Sequence, residues 1–521
     1  MQPRPHGATL APMSPPLTML LALLSCGGGA DDTGGPKRET RPIDARDDQP
    51  DTVVMVIVDT LARRHVQPWQ QEWQTTPELA AFFEDAVVLA DTQVVRGLTS
   101  VSVSSIASGV YPRFHGVRNN REWDSPWNPI LTEMFQGAGY TTLGYSANTC
   151  QFIDRGVDER FCTWNWEVPD TYETQVARDQ ALITELSASL QARGADEKLF
   201  IWLHLINPHD PFNPEQDWYS QFHPEDYTGE LDPEDPLQLD QWILEEHPIT
   251  EEEQRHLDAV YASQVREMDR QLGELFDTLA EVGRWDDSVV MITADHGEEL
   301  GAHHSYFYHG CSAYQQTMQV ASAIRAPGRL PAGLWIDTPI SSTDLAPTLA
   351  DLSGIGWEGY RDGETLLAQL QAGAVEERPI YFERALSTAG VVHQGHRYIL
   401  DLNEGFDECK PFDLTDLAFP GEYEELYDHA SDPEEQIDLA DSEPELLADM
   451  RELTCTWITS DVWYSEDADE THPMVTTCRQ VLGIEVEADD GGGCSATGRA
   501  GAAGLAVWGG LLGLLRRRRS P

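Results

Sequence analysis

Three runs of apolar residues stand out along the chain: Val53–Val58 (VVMVIV), Leu199–Leu205 (LFIWLHL) and Ser288–Thr293 (SVVMIT). They lack the strict alternation of a half-solvated strand and are rich in β-branched residues. That pattern predicts strands buried on both faces, hence central and parallel. Between the second and third runs, Glu251–Val282 repeats apolar residues at helical spacing: Leu257, Val260, Tyr261, Val265, Met268, Leu272, Leu275, Phe276 and Leu279. Gly283 follows as a stop. Strands alternating with helices predict an α/β fold with a mostly parallel central sheet flanked by helices. Residues 210–250 are acidic and Pro-rich and read as a surface excursion. After about residue 375 the runs shorten to Ile380–Phe382, Gly390–His393, Arg397–Leu400 and Leu426–Asp428, with a charged helix near Glu443–Trp457. These predict a smaller C-terminal antiparallel sheet plus one helix.

The three buried runs share a feature. Each ends in polar residues able to bind a metal or an anion: Asp59-Thr60, Asn207-Pro208-His209 and Asp295-His296-Gly297. In open α/β sheets, ligands bind at the carboxyl ends of the strands, so these three ends are expected to meet at one edge.

The termini read as targeting segments. Arg4 and His6 precede an apolar run, Leu17–Leu24, and then Cys26, where a lipoprotein signal carries its lipid-accepting Cys. The run is too short to span a bilayer. Residues 1–26 are therefore read as an export signal, with a plain secretory signal as the alternative, and 27–51 as a tether without periodicity. At the other end, acidic residues and three glycines lead to Cys494, an uncharged stretch Ala500–Leu515 and the cluster Arg516–Arg519. Residues 487–521 resemble the sorting tails of bacterial surface proteins; a simple membrane anchor is the alternative. Between the termini, 52–375 is read as the main domain and 376–486 as a C-terminal subdomain. Both ends put the body outside the cytoplasm, at the outer membrane or cell surface, lipid-anchored or released. Six cysteines remain once Cys26 and Cys494 are set aside, an even number that suits export. Cys150 with Cys162 and Cys455 with Cys478 are the local pairings expected.

Charge narrows the function. The 521 residues carry 89 acidic and 34 basic side chains, a net charge of −55, with lysine only at 37, 198 and 410. That excludes a general nucleic-acid-binding role, which needs a basic face. It suits a salty exterior, where screening weakens self-repulsion. With 15 Trp, 16 Tyr and 15 Phe the chain has enough apolar bulk for a large core.

From residue 53 to about 457 the chain resembles the sulfatase family of the alkaline phosphatase superfamily. The resemblance rests on seven segments in family order: VVMVIVDTLARRHV, TSVSVSSIASGVYPRFHGV, GAGYTTLGYSAN, LHLINPHDPFNP, the helix and strand ending in MITADHGEELG, STDLAPTLADLSGI and ELYDHASDPEEQIDLA. It implies that Asp59, Asp295 and His296 bind one divalent metal ion (Ca²⁺, Mg²⁺, Mn²⁺ or Zn²⁺). It implies that His209 contacts substrate and that His309 stands where many sulfatases place a lysine. Asn120 and Asn148 match polar positions that face the pocket, and His115 and His303 are further candidates for substrate contact. Two departures matter. The second Asp found beside the first in many sulfatases is Thr60 here. The Cys-x-Pro-Ser-Arg nucleophile motif is absent: the nucleophile position falls on Thr99, followed by Val101, Ser102 and Val103 at the Pro, Ser and Arg positions.

Thr is the nucleophile in related phosphoesterases and phosphoryl-group transferases, and Ser100, Ser102 and Ser104 are neighbouring hydroxyls that leave the choice open. Thr99 is also read as a metal ligand, since a bound divalent ion lowers the pKa of an oxygen nucleophile. His209 and His309 would stabilise developing charge or protonate the leaving group. The expected partner is an anionic ester, and the expected activity is metal-dependent hydrolysis of sulfate or phosphate esters. The alternatives are a phospho-group transferase acting on surface lipids or glycans, and an inactive binding protein of the same fold. Plainer roles stand beside these: a helix N-cap for Asp59, Thr99 or Ser100, a loop residue for His209, and a surface ion pair for His309.

Overall fold

The computed structural model describes residues 48–484 except 121–129, 149–162, 166–173, 195, 214–215, 224–226, 246, 304–305, 358, 385–386, 403–423 and 461–472. Both targeting segments, most of the tether and the expected Cys150–Cys162 pairing lie outside the described residues. Among the described residues no helix is long and apolar enough to cross a membrane.

The main sheet has nine strands: β1 (Thr52–Val58), β2 (Val87–Gln93), β3 (Thr141–Ser146), β4 (Thr163–Asn165), β5 (Leu199–Leu205), β6 (Val289–Ala294), β7 (Gln319–Arg325), β8 (Leu334–Ile336) and β9 (Ile340–Ser341). Their order is β4-β3-β5-β1-β6-β7-β2-β8, with β9 also on β2. β7 pairs antiparallel with β6 and β2, and the other pairings are parallel. Every residue of β1, β5 and β6 is buried, as their unbroken apolar runs predict. The pleat divides β1 between two cores. Val54, Val56 and Val58 pack with Leu257, Val260, Met268 and Leu272 of the Glu251–Glu281 helix. Val53, Met55 and Ile57 pack on the other face with Leu131, Phe135, Leu345 and Leu349.

The parallel register sets the active edge. Val58 lies opposite Leu205 on one side and Ala294 on the other. Asp59, the segment Ile206–His209 and Asp295 therefore leave the sheet at one level. Residues 210–250 are mostly exposed or half-buried among the described residues, the surface excursion that their acidic composition predicts. They form helices Gln216–Phe222 and Pro236–Leu244. Phe212, Leu239, Trp242 and Ile243 from this segment are buried in the main core, because a few spaced apolar residues suffice to anchor an acidic segment.

The second sheet is antiparallel, β10 (Ile380–Arg384), β11 (Thr388–His393), β12 (His396–Asp401) and β13 (Glu424–Asp428) in sequential order. Helices Pro444–Ile458 and Pro473–Val481 join its core, one more helix than the sequence predicts. The Cys455–Cys478 disulfide links them, as the local spacing predicts. Closing a loop of 23 residues is worth about 3 kcal/mol in the unfolded chain. Replacing both cysteines by serine should lower stability by about that amount, read as a lower midpoint in urea unfolding.

A buried polar network fastens the two sheets together. Arg397 on β12 is fully buried; its Nη1 donates to Gln93 Oε1 of β2 at 2.8 Å, its Nη2 to the Ala313 carbonyl at 2.8 Å, and its Nε lies 3.3 Å from Glu435 Oε1. Beside it, His429 Nε2 lies 2.6 Å from Asp91 Oδ2, also on β2.

Candidate active site

Asp59, Asp295 and His296 are all fully buried at the carboxyl ends of β1 and β6. One donor atom from each lies within 4.8 Å of the others. Asp295 Oδ1 accepts the backbone N–H of Thr60 at 3.1 Å and of His296 at 2.8 Å. Asn148 Nδ2 donates to Asp59 Oδ2 at 2.7 Å, and His204 Nε2 lies 3.5 Å from the same oxygen. Those contacts leave Asp59 Oδ1 and Asp295 Oδ2 buried without a hydrogen-bond partner. Two orphaned carboxylate oxygens facing one space are costly unless a cation lies between them. Burial would raise Asp59, but the neighbouring His204, His209 and His296 hold its carboxyl well below the usual range. Burial and the charge of Asp59 push Asp295 the other way.

His296 shows the same preparation. Its Nδ1 lies 3.0 Å from the Gly297 carbonyl, which puts the proton on Nδ1 and turns the Nε2 lone pair towards the carboxylates, 3.5 Å from Asp295 Oδ2. Burial lowers this imidazole to about 3, keeping it neutral. Residue 297 has to be glycine, since a Cβ there would lie 2.1 Å from the Gln316 carbonyl oxygen. The donor set, two carboxylates and a neutral imidazole, fits a divalent cation.

The Thr99–Ser108 helix brings the hydroxyl. Ser102 Oγ donates to the Asp295 carbonyl at 2.6 Å, and the Ser100 N–H donates to Asn120 Oδ1 at 3.0 Å. These bonds place Thr99, 1% exposed, with Oγ1 3.1 Å from His296 Nε2. Thr99 is not the N-cap; Leu98 holds that position and no side chain caps it. The Ser102 hydroxyl is taken up by the Asp295 carbonyl, and Thr99 is the hydroxyl set against His296.

His209 and His309 form the neighbouring wall. Their ring centroids are 4.9 Å apart, and the His309 ring is 4.4 Å from that of His296. His209 Nδ1 lies 2.7 Å from the Asp210 carbonyl and 3.0 Å from Asp210 Oδ1. Burial works against its charge, but Asp210 and Asp59 lift it to about 9. His309 pairs with an acid, and that acid is interior: Nδ1 lies 3.1 Å from both oxygens of the fully buried Glu298. Burial and the nearby His209 lower His309 to about 4.

Two of the predicted substrate contacts point elsewhere. His115 bonds Ser105 Oγ at 2.9 Å and accepts the Val117 N–H at 3.0 Å, which fastens the Tyr-Pro…His-Gly turn to the helix one end away from Thr99. His303 bonds Glu299 Oε2 at 3.1 Å and stacks on Tyr314 at 3.9 Å. Conversely, sequence reading missed His204, Asp210, Glu298 and the buried Asp179, whose carboxylate accepts the N–H groups of Ile206 and Asn207 at 2.9 Å and so sets the path of the His209 segment. Asp210 and Glu298 sit next to predicted residues and pair with predicted residues, His209 and His309.

A mostly parallel α/β sheet with a carboxylate–imidazole centre and a threonine at its carboxyl edge defines an alkaline phosphatase-like architecture. The family model described as Sulfatase matches residues 51–355. The chain belongs to the sulfatase family. It is 29% identical over 274 residues to a choline-sulfatase of Rhizobium meliloti, covering 47% of this chain and 51% of that protein. It is 31% identical over 220 residues to the multifunctional alkaline phosphatase superfamily protein PehA of Trinickia caryophylli, covering 37% and 42%. The chain spans about half the length of the curated relatives it matches. The phosphonate monoester hydrolase of Agrobacterium radiobacter superposes with a TM-score of 0.58 at 19% identity, over 77% of this chain and 93% of that one. At that identity the likeness speaks for the fold alone.

Proposed function

We propose that the chain is an exported, metal-dependent hydrolase of sulfate or phosphate esters with Thr99 as its nucleophile. The observation that carries this reading is Thr99 Oγ1 held 3.1 Å from His296 Nε2, beside the partnerless Asp59 and Asp295 oxygens. Asp59, Asp295, His296 and Thr99 would hold one divalent cation. When bound, that cation neutralises the anionic ester and lowers the pKa of a neighbouring hydroxyl or water. The imidazole wall takes the Thr99 proton as Oγ1 attacks the sulfur or phosphorus, the bond to the leaving alcohol breaks, and the wall returns a proton to that alcohol. Water then cleaves the Thr99 ester, releasing sulfate or phosphate and restoring the hydroxyl. His209 and His309 stabilise charge on the transferred group, and Asn120 and Asn148 border the same space. Export and surface display rest on the two terminal segments. The named activity of the choline-sulfatase relative supports the sulfate-ester class.

The test is a panel of nitrophenyl sulfate, phosphate, phosphodiester and phosphonate substrates. Turnover of at least one is expected, lost after chelation and restored by a divalent metal. Activity that needs an added alcohol acceptor would reassign the chain as a transferase. A metal-loaded protein inert to the whole panel, with or without acceptor, would remove the catalytic reading.

A further inference from the structure

The turn that follows β1 is strained. Thr60 has a φ of +55°, in the left-handed region, where a β-branched side chain crowds its own backbone. Asp and Asn adopt that conformation more readily, and glycine does so at no steric cost. The Thr60 side chain does not offset the strain, since its Oγ1 is buried without a hydrogen-bond partner. A strained residue of this kind persists only where its surroundings over-determine the backbone. Two bonds do so here. The Thr60 N–H donates to Asp295 Oδ1 at 3.1 Å, and the Thr60 carbonyl accepts the Tyr261 hydroxyl at 2.5 Å. The same hydroxyl accepts the Ala62 N–H at 2.9 Å, so Tyr261 grips the turn on both sides of Leu61.

The grip is itself held in place. Tyr261 is fully buried in the Glu251–Glu281 helix, and its ring stands edge-on to the buried His65 with centroids 4.6 Å apart. The turn that it holds begins at the cation centre. The sheet still ties Asp59, whose N–H donates to the Leu205 carbonyl at 2.9 Å. Beyond that point the chain has left the sheet. Were Thr60 to relax to negative φ, its N–H would turn away from Asp295 Oδ1, and the turn after Asp59 would part from the strand end that carries Asp295.

We propose that Tyr261 is a positioning residue for the cation site: its hydroxyl keeps the turn after Asp59 in a conformation that Thr60 resists, so that Asp59 Oδ1 and Asp295 Oδ2 face one space before a cation arrives. This deepens the hydrolase reading and rests on it. Tyr261 acts through the backbone of Thr60 and Ala62, and no step of the chemistry is assigned to it.

The test separates a clamp from a packing residue. The full chain, stripped with chelator, is titrated with manganese chloride, an ion that carboxylates and imidazole suit, and free Mn²⁺ is read by electron paramagnetic resonance. Tyr261→Phe keeps the ring and removes only the hydroxyl. It should weaken Mn²⁺ binding by about 10-fold or more, the scale on which losing a group that orients a metal ligand acts. Thr60→Gly removes the strain, because glycine accepts positive φ. In the Thr60→Gly background the same Tyr261→Phe change should weaken binding by no more than about twofold, a coupling that simple loss of packing does not produce. Hydrogen exchange of the metal-free chain gives a second readout: the Ala62 amide should exchange faster in Tyr261→Phe than in the wild type. Equal Mn²⁺ affinity in the wild type and Tyr261→Phe would overturn the proposal, as would unchanged exchange at Ala62. A loss of the same size in both backgrounds would also overturn it and make Tyr261 a packing residue. The hydrolase reading survives each of these three results. A wild type that binds no Mn²⁺ would overturn both.

Discussion

Replacing Thr99 by alanine is expected to lower kcat by at least about 10³-fold, the scale on which removing a nucleophile acts. The side chain is buried and its hydroxyl contacts His296 Nε2. It caps no helix. Its loss should therefore move the unfolding midpoint by no more than about 1 kcal/mol, within the range of a single neutral hydrogen bond. The combination of lost turnover and kept fold separates a nucleophile from a structural hydroxyl. Thr99→Ser should recover part of the rate, since the oxygen returns. Steady-state kinetics on the best substrate of the panel, with trapping and mass spectrometry of the covalent ester, read the result. A Thr99→Ala protein with near-normal kcat would move the nucleophile to another hydroxyl.

The second large effect is on stability. Replacing Arg397 by methionine should cost about 3–5 kcal/mol, the penalty for leaving one member of a buried ion pair alone. Glu435 is fully buried beside it, and Gln93 Oε1 and the Ala313 carbonyl would lose their donors. Burial already pushes Glu435 up, and Arg397 is the largest influence holding it down. Replacing Glu435 by leucine in the same chain should recover most of the loss, because the uncompensated charge goes with it. Urea unfolding of the two single variants and the double variant forms the required cycle. A cost below about 1 kcal/mol for Arg397→Met would mean that solvent, not Glu435, sets the energy of this contact.

Much of the centre was legible because strand burial and strand ends are written locally. An unbroken apolar run announces a central strand, and the polar residue that ends it marks the active edge; Asp59, His209, Asp295 and His296 follow from that alone. β2 was not legible for the opposite reason. Its Asp91, Thr92 and Gln93 are polar yet buried, and Asp91 and Gln93 are satisfied by His429 and Arg397, more than 300 residues away. The histidines illustrate the same limit. His115, His303 and His309 look alike in sequence and each has a partner nearby in the chain, Ser105, Glu299 and Glu298; only the packing of the His309 ring against those of His209 and His296 sets it in the wall. In the 210–250 segment acidic composition announces exposure but hides Phe212, Leu239, Trp242 and Ile243, the few apolar side chains that fix its position.

The pairing of Val58 with Ala294 has a consequence for how this chain tolerates change. Side chains along a strand alternate between faces, so inserting or deleting one residue in β1 or β6 would turn every later side chain over. Asp59 or Asp295 would then swing to the wrong face while its counterpart stayed in place. Point substitutions of one aliphatic for another should pass in these strands, but single-codon length changes should not, and lineages descended from this gene should vary in length only in the loops at the opposite ends of the same two strands.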